Sequence, residues 1–302
     1  MTHPFLWVPF TLAAALMQVL RNAFQARLGK RIGTLGGTQV RFVFGLPFAA
    51  VLLAGDVLFD PQAFPPITLA AMGWGLLGAV SQIVATFLML IVMRREDFGV
   101  AYAYIKTEPV TVALLGLVLI GDRLPALSWV AVIVVTFGVI LASLRRGNGP
   151  EEVFDWRPVL IGVAGGALFG LSAIAFRASI HALPQGDFVL RSLTMLVISL
   201  AMQSAILGAW FVLRDGEPFL ASLREWRLTV AAGLLGALAS ACWFMGFALT
   251  AAANVRTLSL VEMPIVALAS RYVSGRWLSG REWAGFLLVT FGVTLLLFSH
   301  AG

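Results

Sequence analysis

The chain has 302 residues, of which 60% are hydrophobic and only 12% charged, with a formal net charge of +6 and a mean hydropathy of +0.92. A soluble domain carries about 25% charged residues, and ten apolar stretches leave no polar face for water, so a water-soluble fold is excluded. The basic residues stand at the ends of those stretches and form no basic run with interleaved aromatics, which excludes nucleic acid as a partner and points to anchoring in a lipid bilayer.

A helix crosses the hydrocarbon core with roughly 20 apolar residues, and in that core only helices and closed barrels satisfy their backbone groups. The pattern predicts ten spans, at about 5–28, 35–56, 67–93, 98–120, 126–144, 158–181, 186–213, 228–250, 254–275 and 281–299. Met1-Thr2-His3-Pro4 lacks the positive stretch of a signal peptide, so the first span is expected to stay in the membrane. In that span Gln18, Arg21, Asn22 and Gln25 follow an i, i+3, i+4, i+7 spacing and form one polar stripe. The stripe is expected to line a cavity; the alternative is a helix–helix interface with its amides satisfied internally. Gly29-Lys30-Arg31-Ile32-Gly33 ends the span. Arg41 lies about five residues into the second span.

In the third span, residues 73–78 spell a dinucleotide-binding glycine pattern, but they follow no strand and sit in an apolar helix, so that reading is set aside. The fourth span carries Tyr102, Tyr104, Lys106, Glu108 and Pro109. Tyr104, Glu108 and Thr111 share one helical face, and Pro109 leaves the Ile105 carbonyl without its usual donor. A short turn, Gly121-Asp122-Arg123-Leu124, leads into the fifth span. Residues 145–157 are the most polar connection and read as a linker. Gly162, Gly166 and Gly170 form a packing ridge on the sixth span. Arg191 lies about five residues into the seventh, and Trp243, Phe244 and Phe247 stand in the eighth, where aromatics more often pack than stack on a substrate. The ninth repeats the fourth as Ser259, Glu262 and Pro264.

That repetition extends further. With an offset of 154, residues 108–141 match 262–295, including Glu108/Glu262, Gly121/Gly275, Trp129/Trp283 and the five-residue run 135–139/289–293. The expected fold is therefore an all-α polytopic membrane protein of ten transmembrane helices, built as two five-helix repeats over 1–148 and 149–302. Five is odd, so repeats joined in series insert in opposite orientations, the arrangement that places a site between halves near the bilayer midplane. Arginine and lysine concentrate on connections 1–2, 3–4, 5–6, 7–8 and 9–10. By the positive-inside rule both termini then face away from the cytoplasm.

The ten-span layout, the proline-bearing fourth and ninth spans, the 121–124 turn and the fifth span ending in Thr136-Phe137-Gly138-Val139 resemble the drug/metabolite transporter superfamily, EamA-like branch. In that family the turn is usually Gly-Glu-x-Leu; here Asp122 replaces the glutamate and Arg276 takes its place in the second copy. The resemblance implies a central cavity lined by spans 1, 3, 4, 6, 8 and 9, alternating access, and metabolite efflux across a bacterial inner (plasma) membrane.

A charged side chain at the bilayer centre costs about 2.5–3.5 kcal/mol on insertion scales and normally faces a partner or a wet cavity. Gln18, Arg21 and Gln25 are expected to orient a substrate, with Tyr102, Tyr104 and Lys106 beside them. Glu108 and Glu262 are expected to supply coupling or counter-charge; the alternative is that they only neutralise bases such as Lys106 or Arg256. Arg41 and Arg191 are candidate access-path charges, or snorkel to the interface. The excess of buried bases favours a carboxylate or phosphate on the substrate. Cys242 is the sole cysteine, the three histidines are far apart, and no nucleotide-binding or hydrolase motif occurs, so no metal, cofactor or enzyme activity is expected. The expectation is a secondary transporter of a small polar metabolite. Its rivals are an exchanger of phosphorylated or nucleotide-linked sugars and a membrane-embedded enzyme or lipid-handling protein.

Overall fold

The computed structural model describes residues 5–95, 104–105, 108–143, 156–214, 216–262 and 280–299. Tyr102, Lys106 and all of the ninth span beyond Glu262 lie outside the described residues. Eleven helices are described: α1 (Trp7–Val43), α2 (Leu46–Phe59), α3 (Leu69–Arg95), α4 (Glu108–Ile120), α5 (Ala126–Ser143), α6 (Trp156–His181), α7 (Phe188–Leu213), α8 (Glu217–Arg224), α9 (Trp226–Leu249), α10 (Ala252–Leu258) and α11 (Gly280–Phe298). A short 3-10 turn, Ser259–Val261, continues α10. There is no strand among the described residues.

α1 counts 37 residues, about 55 Å if straight, against a hydrocarbon core of about 30 Å. It is not straight. Gly33 takes φ 82° and ψ 165°, a conformation strained for any side chain. Gln25 Nε2 then donates to Gly37 O at 3.0 Å, although twelve residues of unbroken helix would separate those groups by about 18 Å. The chain reverses at Gly33, so α1 holds all of the first span and the start of the second. The second span also breaks at Phe44–Gly45, inside a stretch that sequence periodicity reads as continuous. Pro47 has no N–H to offer the Val43 carbonyl, so the helix lets go and restarts at Leu46.

The helices pack in pairs: α1 along α9, α3 along α6, α5 along α11, and α2 against α7. Small residues set the closest approaches. A methyl group on Gly162 would stand 2.5 Å from Tyr104 Cβ, and one on Gly166 would stand 2.5 Å from Ile105 O. The glycine ridge of α6 thus receives the backbone just ahead of α4. Between α5 and α11, a methyl on Gly138 would lie 3.0 Å from Val289 N, and one on Gly292 would lie 3.1 Å from Val135 N. Ser128 Oγ, at the start of α5, is 2.8 Å from Ser299 Oγ, just past the end of α11. The two helices run antiparallel.

The outer surface is apolar. Val51, Leu58, Val118, Ile133, Val212 and Leu287 are all exposed, a surface that suits acyl chains rather than water. Five helical stretches, 7–59, 69–94, 156–181, 188–213 and 226–249, are long and apolar enough to cross a membrane, and α4, α5 and α11 are shorter apolar helices. The chain is an integral membrane protein.

α8 is an element that span-length periodicity does not reveal. It caps one end of the bundle: Gln39 Nε2 donates to Ser222 Oγ at 2.9 Å, Phe219 stacks on Phe44, and Arg31 pairs with Glu225 just beyond it at 2.8 Å. At the opposite end, Thr68 Oγ1 donates to Ala182 O at 3.0 Å and Asp187 N to Gln62 Oε1 at 3.0 Å, tying the connection before α3 to the one after α6.

Candidate functional site

The polar stripe of the first span faces inward. Gln18, Arg21, Asn22 and Gln25 are all buried, and Arg21 is 1% exposed. Three of the four line a small cavity together with Met89, Ile105, Glu108, Phe169 and Arg256. Gln25, one turn further, is instead committed to the Gly37 carbonyl that closes the Gly33 hairpin. The stripe thus divides between lining the cavity and holding two spans together. Arg21 Nη2 and Nε both donate to Asn22 Oδ1, at 2.8 and 3.2 Å, which aligns the guanidinium along the helix.

Glu108, the first residue of α4, is 2% exposed. Its Oε1 stands 3.3 Å from Arg256 Nη1 on α10. Arg256 is held chiefly by aromatic faces: its guanidinium carbon lies 4.5 Å from the ring centroid of Trp243 and 5.3 Å from that of Phe247, and the two rings are stacked. Trp243 is itself fixed, because its Nε1 donates to Gln18 Oε1 at 3.1 Å. A cation over an aromatic face in a desolvated site is worth up to about 2 kcal/mol, so α9 provides a seat for Arg256 that does not depend on Glu108. Arg256 Nε has no hydrogen-bond partner.

Arg41 belongs to the same neighbourhood. It is buried, lies over the Phe42 ring at 5.0 Å, and donates to Thr86 Oγ1 at 3.4 Å. The charges of Arg21 and Arg256 both act on it. Gly236 of α9 leaves room for both arginines: a methyl there would touch Arg21 Cδ and Arg41 Cβ at 3.4 Å. Glu262 is fully buried at the end of the 3-10 turn after α10. Tyr104 is half-buried against Gly162. Arg191 sits apart: its Nε bonds Asp187 O within its own helix start. The two candidate access-path arginines therefore occupy different settings, Arg41 in the centre and Arg191 at one end. The cavity measures about 20 Å³, room for one water molecule and not for a metabolite.

Among the described residues the cavity lining holds Arg21 and Arg256 against Glu108, an excess of one positive charge. Sequence reasoning brings Arg256 forward only as a neutralising base and gives Trp243 a packing role. The available signal is that Trp243 and Phe247 stand four apart on one helical face, with Arg256 nine residues on.

A second arginine centre lies at the end of the bundle that holds His181. Arg177 Nε and Nη2 donate to Asp122 Oδ2 and Oδ1 at 2.9 and 3.3 Å, and Nη1 donates to the Phe247 and Thr250 carbonyls, both at 2.6 Å. Those carbonyls close α9, where a helix has no donors of its own left. Gly121, at φ 70°, turns the chain so that Asp122 N bonds Gly116 O and its carboxylate meets Arg177.

The sequence matches the EamA-like transporter family twice, over residues 5–144 and 156–298. No curated protein matches it. A solved structure described only as "Crystal structure of protein" is similar in fold, with a TM-score of 0.64, 17% identity and 95% of each chain covered. Members of the matched family are transporters rather than enzymes. With an apolar helical bundle around a buried polar centre, and family matches over nearly its whole length, the chain belongs to the EamA-like transporter family of the drug/metabolite transporter superfamily.

Proposed function

We propose that the protein is a secondary carrier that exports a small polar metabolite bearing a carboxylate, amino-acid-like or simpler, by alternating access. The observation that carries this reading is the buried guanidinium excess around the small cavity, where Arg21 and Arg256 face Glu108. A charge taken out of water needs partners; Arg256 Nε has none among the described residues, and a substrate carboxylate supplies one. Arg21 and Arg256 bind the anion, Gln18 and Asn22 orient it, and Glu108 and Glu262 provide counter-charge and exchange protons during the cycle. Tyr104, with Tyr102 and Lys106 ahead of α4, contributes to substrate selection.

The proposed architecture is ten spans in two oppositely inserted repeats, 1–148 and 149–302. Three observations support it: the antiparallel α5–α11 contact between equivalent glycines, the exchange of partners in which α1 packs on α9 as α3 packs on α6, and family matches that flank residues 145–155. The membrane is proposed to be a bacterial inner membrane, with the termini outside and the α8 end, rich in arginine, facing the cytoplasm. Alkaline phosphatase fused after Gly302 is then active.

Proteoliposomes loaded with labelled carboxylates test the activity. Efflux of at least one carboxylate, lost in Arg256→Gln, supports it; retention of every carboxylate and amino acid tried sinks it. Unchanged pH dependence of that flux in Glu108→Gln and Glu262→Gln would falsify the coupling role. A guanidinium pair also suits phosphate, which supports a second reading as an exchanger of phosphorylated or nucleotide-linked sugars. That reading requires flux to be stimulated by counter-substrate on the far side.

A further inference from the structure

The Glu108–Arg256 contact joins α4 to α10 across the wall of the cavity, and its geometry is loose. At 3.3 Å it is longer than the 2.7–2.9 Å of a strong charged hydrogen bond. Arg256 is positioned without it, on Trp243 and Phe247, and retains an unpartnered Nε. Arg177, by contrast, holds Asp122 through two nitrogens. A carboxylate that touches its arginine through one long contact, inside a space where a substrate carboxylate is required, resembles an occupant rather than a brace.

We infer that Glu108 is a built-in stand-in for the carboxylate of the substrate. In the empty carrier it neutralises Arg256 and lets the bundle close around a water-sized space. An arriving anion takes the guanidinium, and Glu108 swings away toward the remaining bases, Arg21 and Arg41, which face the same region from α1. This rests on the reading of the cavity as a carboxylate site.

The exchange of partners has two consequences. Substrate must compete with Glu108, so removing that charge strengthens anion binding. The empty carrier must also recross while closed, and closure without Glu108 buries Arg256 uncompensated. Loss of Glu108 therefore penalises net efflux, which needs the empty carrier to return, more than exchange, in which the carrier returns loaded.

The test uses purified full-length protein, wild type and the variants Glu108→Gln, Glu108→Asp and Arg256→Gln, each checked for a monodisperse elution. Thermal shifts are titrated with amino acids, mono- and dicarboxylates and inorganic phosphate. Proteoliposome flux is then measured with whichever probe shifts the wild type, with and without that probe outside. Glu108→Gln is expected to bind the probe at least tenfold tighter than wild type, and its ratio of exchange to net efflux is expected to rise at least tenfold. Glu108→Asp, with a shorter reach to Arg256, is expected to fall between, which keeps the test open if the glutamine variant does not fold. Arg256→Gln is expected to bind no probe. Equal or weaker binding in both Glu108 variants, with wild-type binding intact, overturns the stand-in role and leaves the carboxylate reading standing. Absence of any anion response in folded wild type and Glu108 variants overturns the carboxylate reading itself.

Discussion

Two arginine centres lie in this bundle, and they are built in opposite ways. At the end near His181, every nitrogen of Arg177 has an acceptor: a carboxylate taken through two atoms and two helix-closing carbonyls. In the middle, Arg256 rests on two rings, keeps an unpartnered Nε and touches its carboxylate at 3.3 Å, while Arg41 makes a single long bond to Thr86. A guanidinium with four of its five N–H groups committed to the fold has little left for a ligand. One with spare donors leaves binding capacity beside the cavity that Arg256 lines.

The comparison is most easily broken at the Arg177 centre. Replacing Arg177 with Ala strips the carboxylate and the end of α9 at once, and removing one member of such a pair costs about 3–5 kcal/mol. The purified variant should lose its cooperative melt or melt far below wild type. A melt within a few degrees of wild type means that Arg177 is not structural. Asp122→Asn is milder, because Arg177 keeps both carbonyls and an amide oxygen in place of the carboxylate. The expected loss is about 1.5–3 kcal/mol, the scale of a charge-assisted hydrogen bond, read from the same melts.

The central cluster should respond in the other coordinate. Arg256→Gln is expected to lower carboxylate flux at least tenfold, about 1.4 kcal/mol in the barrier, with a smaller drop in melting temperature than Arg177→Ala. Equal destabilisation by the two variants would erase the distinction between them.

How far this could be read from the chain differs along it. The first-span stripe was legible because a helical period sorts Gln18, Arg21, Asn22 and Gln25 onto one face. Glu108 and Glu262 stood out because acids in apolar spans are rare, and Gly33 because its neighbours Lys30 and Arg31 mark a span end. Periodicity assigns faces, however, and says nothing of where a chain folds back, so it could not separate Gln25, bound to Gly37, from Gln18 in the cavity wall. The Arg177–Asp122 pair joins residues 55 apart in sequence, with no local pattern to announce it. α8 is amphipathic over only eight residues, shorter than any window tuned to spans. Arg41 and Arg191 look alike as lone bases early in their spans; only packing puts one against Phe42 and Thr86 and the other against its own helix start.

The finest distinction concerns what seats Arg256. Trp243→Phe keeps an aromatic face under the guanidinium but removes the N–H that Gln18 accepts. One hydrogen bond is worth about 0.5–1.5 kcal/mol, and a smaller ring weakens the cation–ring attraction by a fraction of the roughly 0.5–2 kcal/mol it supplies. Both losses fall on the cavity wall and leave Arg177 untouched. The expected result is a few-fold rise in KM for the carboxylate, kcat within about twofold, and a stability change near 1 kcal/mol. If Gln18→Leu produces the same rise and the double variant adds nothing, the hydrogen bond is the shared cause. Additive effects would mean that the ring, and not its tether to the first span, sets the position of Arg256.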